Sequence, residues 1–229
     1  MPEHTHVDEF MKQAEEAPFT EQQRLCAMLS LERNLWREGF SRIAGVDEAG
    51  RGPLAGPIVA AAVVLSAPIA GLNDSKRLSA TVRQSLYERI VSGKHLWGSA
   101  IISAAEIDTL GIQQANYKAM RKAIEALPEK PDFVLVDGYA LSGIFQPTMR
   151  VIKGDARSLN IAAASIVAKV TRDNILAEMD TFYPGYGFAR HKGYGTREHL
   201  DAIQRLGPCP EHRRSFAPFN TKYESTELL

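Results

Sequence analysis

The run IVAAAVVL, residues 58–65, is eight apolar residues with no polar break, β-branched at four of them and ending on leucine. It is far too short to cross a membrane as a helix and shows no polar alternation. It therefore predicts a strand buried on both faces. Ile43 to Val46 reads the same way, and LWGSAIIS (96–103), FVLVDG (133–138) and MRVIKGD (149–155) supply three more strands. Between them lie helical patterns: TVRQSLYERI after Ser79, which suits an N-cap, and QQANYKAMRKAIEAL, stopped by Pro128. SLNIAAASIVAKVTRDNILAEM is a long helix whose first half is apolar enough to lie against the sheet, and REHLDAIQRLG is a last helix. The order predicts a mixed five-stranded α/β layer, with antiparallel pairing among the early strands and a parallel crossover to FVLVDG.

Residues 1–38 read as a separate, amphipathic helical extension, with Met28, Leu29, Leu31 and Leu35 on its apolar face. That segment is acidic and has no apolar core, so it resembles neither a secretory signal nor a transit peptide. Cys26 and Cys209 follow no metal-ligand spacing and fit a reducing compartment, with a bridge between them left open. The expectation is a soluble cytoplasmic protein, and a monomer. The 27 basic and 27 acidic residues cancel, which argues against a general nucleic-acid coat. The balance is uneven, however: residues 186–214 hold six basic residues against three acidic, enough to grip a polyanion locally.

The chemistry concentrates at strand ends. Asp47 and Glu48 close the first strand just ahead of GRGPLAGP, Asp137 follows Phe-Val-Leu-Val, and Asp155 follows Val-Ile-Lys-Gly. The carboxyl ends of strands in open α/β sheets form the crevice where ligands sit. Carboxylates at such positions can hold a hard cation, act as general base, or sit solvated in a loop. Their repetition at three strand ends favours the cation, because crowded like charges repel unless one lies among them. An all-oxygen donor set selects Mg²⁺ or Mn²⁺ over zinc. Side chains alternate along a strand, so Asp47 and Glu48 should face opposite ways. Both serve one site only if the chain bends there or Glu48 offers its carbonyl oxygen.

The motifs GVDEAGRGPLAGPIVAAAVVL, LNDSKRLS, VLVDG, KGDARSLNIAAASIVAKVTRD, YPGYGFARHKGYGT and HRRSFAPF stand in one order between about Ile43 and Phe219. In that order they resemble ribonuclease HII in its bacterial form. The resemblance implies a ribonuclease H-like fold over residues 39–229, ending in a substrate-binding helical segment. It implies cleavage of the RNA strand of RNA–DNA hybrids and nicking at single ribonucleotides in duplex DNA, leaving 3′-hydroxyl and 5′-phosphate ends through two metal ions. By position, Asp47, Glu48 and Asp137 would bind metal and Asp155 would complete the acidic site. Gly50, Arg51 and Gly52 would form the ribose-reading turn, Tyr194 the sugar-sensing tyrosine and Lys76 a phosphate contact.

Beyond the motifs, Lys169, Arg190, Lys192, Arg213 and Arg214 join Lys76 as candidates for a phosphate track, with Lys169 equally readable as an ordinary helix residue. His191, His199 and His212 read as surface or phosphate contacts. A nuclease acting on DNA alone and a non-catalytic hybrid-binding module are the competing readings. A nucleotide-phosphate loop at GRGPLAG fails for want of G-x-x-x-x-G-K-[ST].

Overall fold

The structure, a computed structural model, describes residues 3–220, with side chains from residue 7 onward. Five strands, β1 (Ile43–Ala49), β2 (Ile58–Val64), β3 (Leu96–Ile102), β4 (Phe133–Asp137) and β5 (Thr148–Val151), form one sheet in the order β3-β2-β1-β4-β5. The pairs β1–β2 and β2–β3 are antiparallel, whereas β1–β4 and β4–β5 are parallel. The mixed sheet read from the sequence is therefore the one observed, with the unbroken apolar run β2 between two neighbours.

Strand parity decides which face each residue serves. Ala44, Val46, Ala60, Ala62, Val134 and Val136 pack on one face against α5 (Ala104–Leu110) and α6 (Ile112–Glu125). Ala61, Val63 and Leu65 turn to the other face and meet α7 (Leu159–Phe182), with α4 (Ala80–Ser92) beside it. Small residues let α7 come close. A Cβ on Gly45 would lie 2.1 Å from the Asn160 carbonyl carbon, so only glycine permits this crossing. Each Val, Leu or Ile enclosed this way contributes about 1.5–3 kcal/mol. The cap predicted at Ser79 is present, its hydroxyl accepting from Val82 N–H at 3.3 Å.

The amino-terminal residues form α1 (Glu3–Glu15), α2 (Phe19–Met28) and α3 (Ser30–Arg37). Phe10, Leu25, Met28 and Leu29 join the same core as α4 and α7, while Leu35 packs with Ile43, Phe133 and Ile161. Glu32 is fully buried, and its Oε1 accepts from Ser158 Oγ at 2.5 Å and Asn160 N–H at 3.4 Å. The first turn of α7 is thereby tied to α3.

One boundary differs from expectation. The run 149–155 is not one strand: β5 stops at Val151, Lys153 turns left-handed (φ 54°), and Gly154–Ala156 form a 3-10 turn. The cause is packing, since a Cβ on Gly154 would sit 2.5 Å from Ile161 Cδ1, leaving room only for a tight glycine turn against α7. Asp155 thus rides on a turn rather than a strand end. The carboxy-terminal part holds α8 (Phe188–His191) and α9 (Arg197–Leu206). No helix among the described residues is long and apolar enough to cross a membrane. Cys26 and Cys209 are both free thiols.

Candidate active site

The parallel pairing of Val46 with Val136 sets Asp47 next to Asp137 across neighbouring strands, about 4.8 Å apart in backbone spacing. Parity turns both toward α7, where Ser165 stands beside Asp47. Burial, followed by the charges of Glu48 and Asp137, pushes the Asp47 carboxyl well above its ordinary range. Asp137 and Asp155 are also raised, each chiefly by burial, and Asp155 further by Asp74 and Asp137. Glu48 faces α6, as alternation requires. Burial lifts it to about 7, against the pull of Arg51. Asn116 leans on this carboxylate without reaching hydrogen-bond geometry, and Glu48 Oε2 is buried with no partner among the described residues.

These groups form one electrostatic cluster, but not a closed cage. Among the described residues no three His, Cys, Asp or Glu side chains converge on a cation-sized point. The reason is visible in the hydrogen bonds. Asp47 Oδ1 accepts from Glu48 N–H at 2.7 Å, and Asp137 Oδ1 accepts from Gly154 N–H at 2.6 Å, so each carboxylate is turned toward its own backbone. The donor set nevertheless fits a hard divalent cation: four carboxylates and, among the described residues, one buried carboxylate oxygen without a hydrogen-bond partner.

Beside the cluster lies a cleft of about 240 Å³, walled by Glu48, the 50–52 turn, Lys76, Ser165, Lys169 and Tyr194. Gly50 is obligatory: its φ is +99°, and a Cβ there would lie 2.1 Å from Arg172 Nε. Gly52 is open on one side, the nearest group to a Cβ being Tyr194 Cε1 at 3.8 Å. Turn and tyrosine therefore face each other across a gap. Tyr194 is 48% exposed. Lys76 also faces the acidic cluster. Burial alone would lower its ammonium, but Asp47, Asp155, Asp74 and Asp137 together hold it above its usual value.

Residues 44–219 match the family model for ribonuclease HII. A ribonuclease HII from Geobacillus kaustophilus (strain HTA426) is 52% identical over 210 residues, covering 91% of this chain and 80% of that one. The chain belongs to the ribonuclease HII family. It is an enzyme, a ribonuclease H that hydrolyses the RNA strand of RNA–DNA hybrids. The crystal structure of the ribonuclease H2 from Pyrococcus horikoshii OT3 superposes with a TM-score of 0.65 at 25% identity, covering 78% of this chain and 95% of that one. The crystal structure of Bst-RNase HIII in complex with Mn²⁺ has a TM-score of 0.57 at 17% identity, covering 78% and 68%, and shares the fold.

Against this ribonuclease H-like frame, several basic residues need reassignment. Arg213 is not on a phosphate track. It is fully buried and donates to the carbonyls of Gly56 (3.0 Å), Arg51 (3.0 Å) and Gly50 (2.6 Å). Arg172, which the sequence reading passed over, is its counterpart, donating to the Pro57, Ala55 and Lys192 carbonyls. Two guanidinium forks thus hold the 50–57 segment from behind, a role suited to Arg and closed to Lys. Arg190 is engaged with Glu198 at the surface, and Lys169 pairs with Asp173 at 2.6 Å while still lining the cleft. Arg51 donates to Gln113 at 3.0 Å and lies over the Tyr139 ring at 4.6 Å.

His191, His199 and His212 are buried rather than superficial. Their ring nitrogens bond within the protein because a buried polar atom needs a partner. Asp74 and Asn116 were also missed. The DSKRL loop carried a legible signal for Asp74 in the charge next to Lys76; a mid-helix asparagine carried none.

Proposed function

We propose that the enzyme also nicks duplex DNA at single embedded ribonucleotides, using two divalent cations held by Asp47, Glu48 and Asp137, with Asp155 completing the set. The observation that carries this reading is the facing of the Gly50–Gly52 turn and Tyr194 across a cleft that Glu48 lines, beside the carboxylate cluster. When bound, Mn²⁺ or Mg²⁺ supplies an activated water and charge relief on the phosphoryl group and leaving oxygen. The chain's own groups do the rest. The Gly50–Gly52 backbone approaches a ribose closely enough to read its 2′-hydroxyl, which both donates and accepts. Tyr194 closes the opposite side of the sugar. Lys76 places a positive charge beside the carboxylates, where a phosphate would otherwise be repelled. Contacts of this kind position the backbone without reading bases, so cleavage should depend little on sequence. The products would carry 3′-hydroxyl and 5′-phosphate ends.

The test uses a DNA duplex with one ribonucleotide, an all-DNA duplex and an RNA–DNA hybrid. Asp137→Asn should abolish cleavage of both ribose-containing substrates while leaving duplex binding, followed by fluorescence anisotropy, nearly intact. Tyr194→Ala should lower cleavage at the single ribonucleotide more than it weakens binding. Cleavage of the all-DNA duplex, or loss of binding in Asp137→Asn, would count against the assignment.

A further inference from the structure

Two buried imidazoles meet nitrogen to nitrogen behind Tyr194. His199 on α9 and His212 in the carboxy-terminal segment are shielded from solvent, with their Nε2 atoms 3.1 Å apart. Such a contact is a hydrogen bond only if one of the two nitrogens carries a proton and the other does not. The remaining contacts assign which. His212 Nδ1 accepts from Cys209 N–H at 3.0 Å, so the His212 proton is on Nε2. His199 Nδ1 lies 2.9 Å from the Tyr194 carbonyl oxygen, which can only accept, so the His199 proton is on Nδ1. The bonds then run in one direction: Cys209 N–H to His212, His212 to His199, and His199 to the Tyr194 carbonyl. Both rings are neutral. His212 Nδ1 also lies 3.1 Å from Cys209 Sγ and 3.3 Å from the Cys209 carbonyl oxygen. The His199 bond to the Tyr194 carbonyl nevertheless leaves Nε2 of His199 as the acceptor and so places the His212 proton on Nε2.

The rest of the surroundings support this state. His191 stacks on His199 with centroids 4.3 Å apart, and its own nitrogens bond the Tyr186 carbonyl (2.8 Å) and Gly193 N–H (3.2 Å). Tyr186, Phe188 and Phe219 rings and the Cys209 thiol enclose His212, with Arg214 the nearby cation; Glu198 is the charge that acts on His199. Burial, and secondarily His199, pulls His212 down to about 4, and burial also lowers His199.

The relay joins the two halves of the sugar cleft. The residues around His212 are paired to the chain that leaves the glycine turn: Gly56 N–H donates to Glu211 O at 2.9 Å and Arg213 N–H to Leu54 O at 2.8 Å. Leu54 N–H in turn donates to Gly193 O at 2.8 Å, next to Tyr194. An apolar core at this place would be served as well by Leu or Phe. What those residues lack is a directional bond to one carbonyl.

We propose that His199 and His212 are positioning residues for Tyr194, a neutral imidazole pair that fixes its ring against the Gly50–Gly52 turn and so sets discrimination for the ribose. This rests on the reading of Tyr194 as the residue that senses the sugar. The test measures kcat and KM of the full-length enzyme with Mn²⁺ on a duplex containing one ribonucleotide. His199→Leu and His199→Asn are compared in the wild-type and Tyr194→Ala backgrounds. A misplacement of about 1 Å can cost about 100-fold, so His199→Leu should lower kcat by about tenfold or more with little change in KM. His199→Asn, whose amide can replace the Nδ1 donor, should recover most of that loss. In the Tyr194→Ala background, His199→Leu should cost nothing further. Equal losses in both backgrounds would overturn the proposal, as would His199→Asn matching His199→Leu when both melt cooperatively.

Nitrogen-15 spectra of the unmodified enzyme at neutral pH provide a measurement independent of any variant. They should show His199 protonated at Nδ1 only and His212 at Nε2 only; charged rings or the opposite tautomers would overturn it. If Tyr194→Ala leaves cleavage unchanged while those tautomers are found, the sugar-sensing reading fails rather than the relay.

Discussion

Glu32 offers a direct measurement of how the amino-terminal helices hold α7. Its carboxyl is fully buried at the start of α7, accepting from Ser158 Oγ and Asn160 N–H, with Oε2 lacking a partner among the described residues. Burial raises it from 4.5 to about 7, against the pull of the Ser158, Asn160 and Leu159 bonds. A group that titrates higher in the folded state binds protons more readily there than in the unfolded chain. Its stabilisation is therefore complete below pH 4.5 and is lost as pH climbs through about 7. At 1.36 kcal/mol per pH unit, that window withdraws up to about 3 kcal/mol. Glu32→Gln keeps the accepting oxygen and cannot ionise. Urea unfolding of both proteins at pH 5 and pH 8 should give similar stabilities at the lower pH and a more stable variant at the higher. The difference between them should widen by about 2–3 kcal/mol across the interval. The other carboxyls are common to both proteins and cancel. If the two stability curves stay parallel, the ionised carboxylate is not confined in a dry site, and the tie between α3 and α7 is not what this geometry implies.

Two further outcomes follow from the site. Arg213→Lys preserves the charge but cannot reach three carbonyls at once. At about 1–3 kcal/mol for a buried carbonyl left unpaired, unfolding in urea should show a loss of at least about 2 kcal/mol, and an unchanged midpoint would mean the turn is held by other contacts. Mn²⁺ should raise the melting temperature, since it relieves carboxylates crowded in the folded state only; at 100 times Kd the gain is about 2.7 kcal/mol. Asp137→Asn should abolish most of this shift in a thermal melt, whereas an equal shift in both proteins would place the ions elsewhere.

The sequence by itself determined the layered fold, because unbroken apolar runs such as 58–65 have few places to go and the long apolar helix must cover one face of the sheet. It also placed Asp47, Glu48 and Asp137 where strands end, and period-two alternation correctly separated Glu48 from Asp47. Local pattern could not reach the interactions that join distant segments. Arg213 read as a candidate for the phosphate track, yet it lies buried behind a turn more than 150 residues away, bonding Gly50 across a sequence separation of 163. The three histidines read as surface or phosphate contacts for the same reason: burial and tautomer are set by which neighbours the folded chain supplies, not by spacing. Asp155 was displaced from strand to turn by the contact of Gly154 with Ile161. Periodicity fixes the face a residue presents, but only the tertiary structure decides what meets it there, since desolvation and hydrogen-bond partners belong to the three-dimensional arrangement and not to the chain.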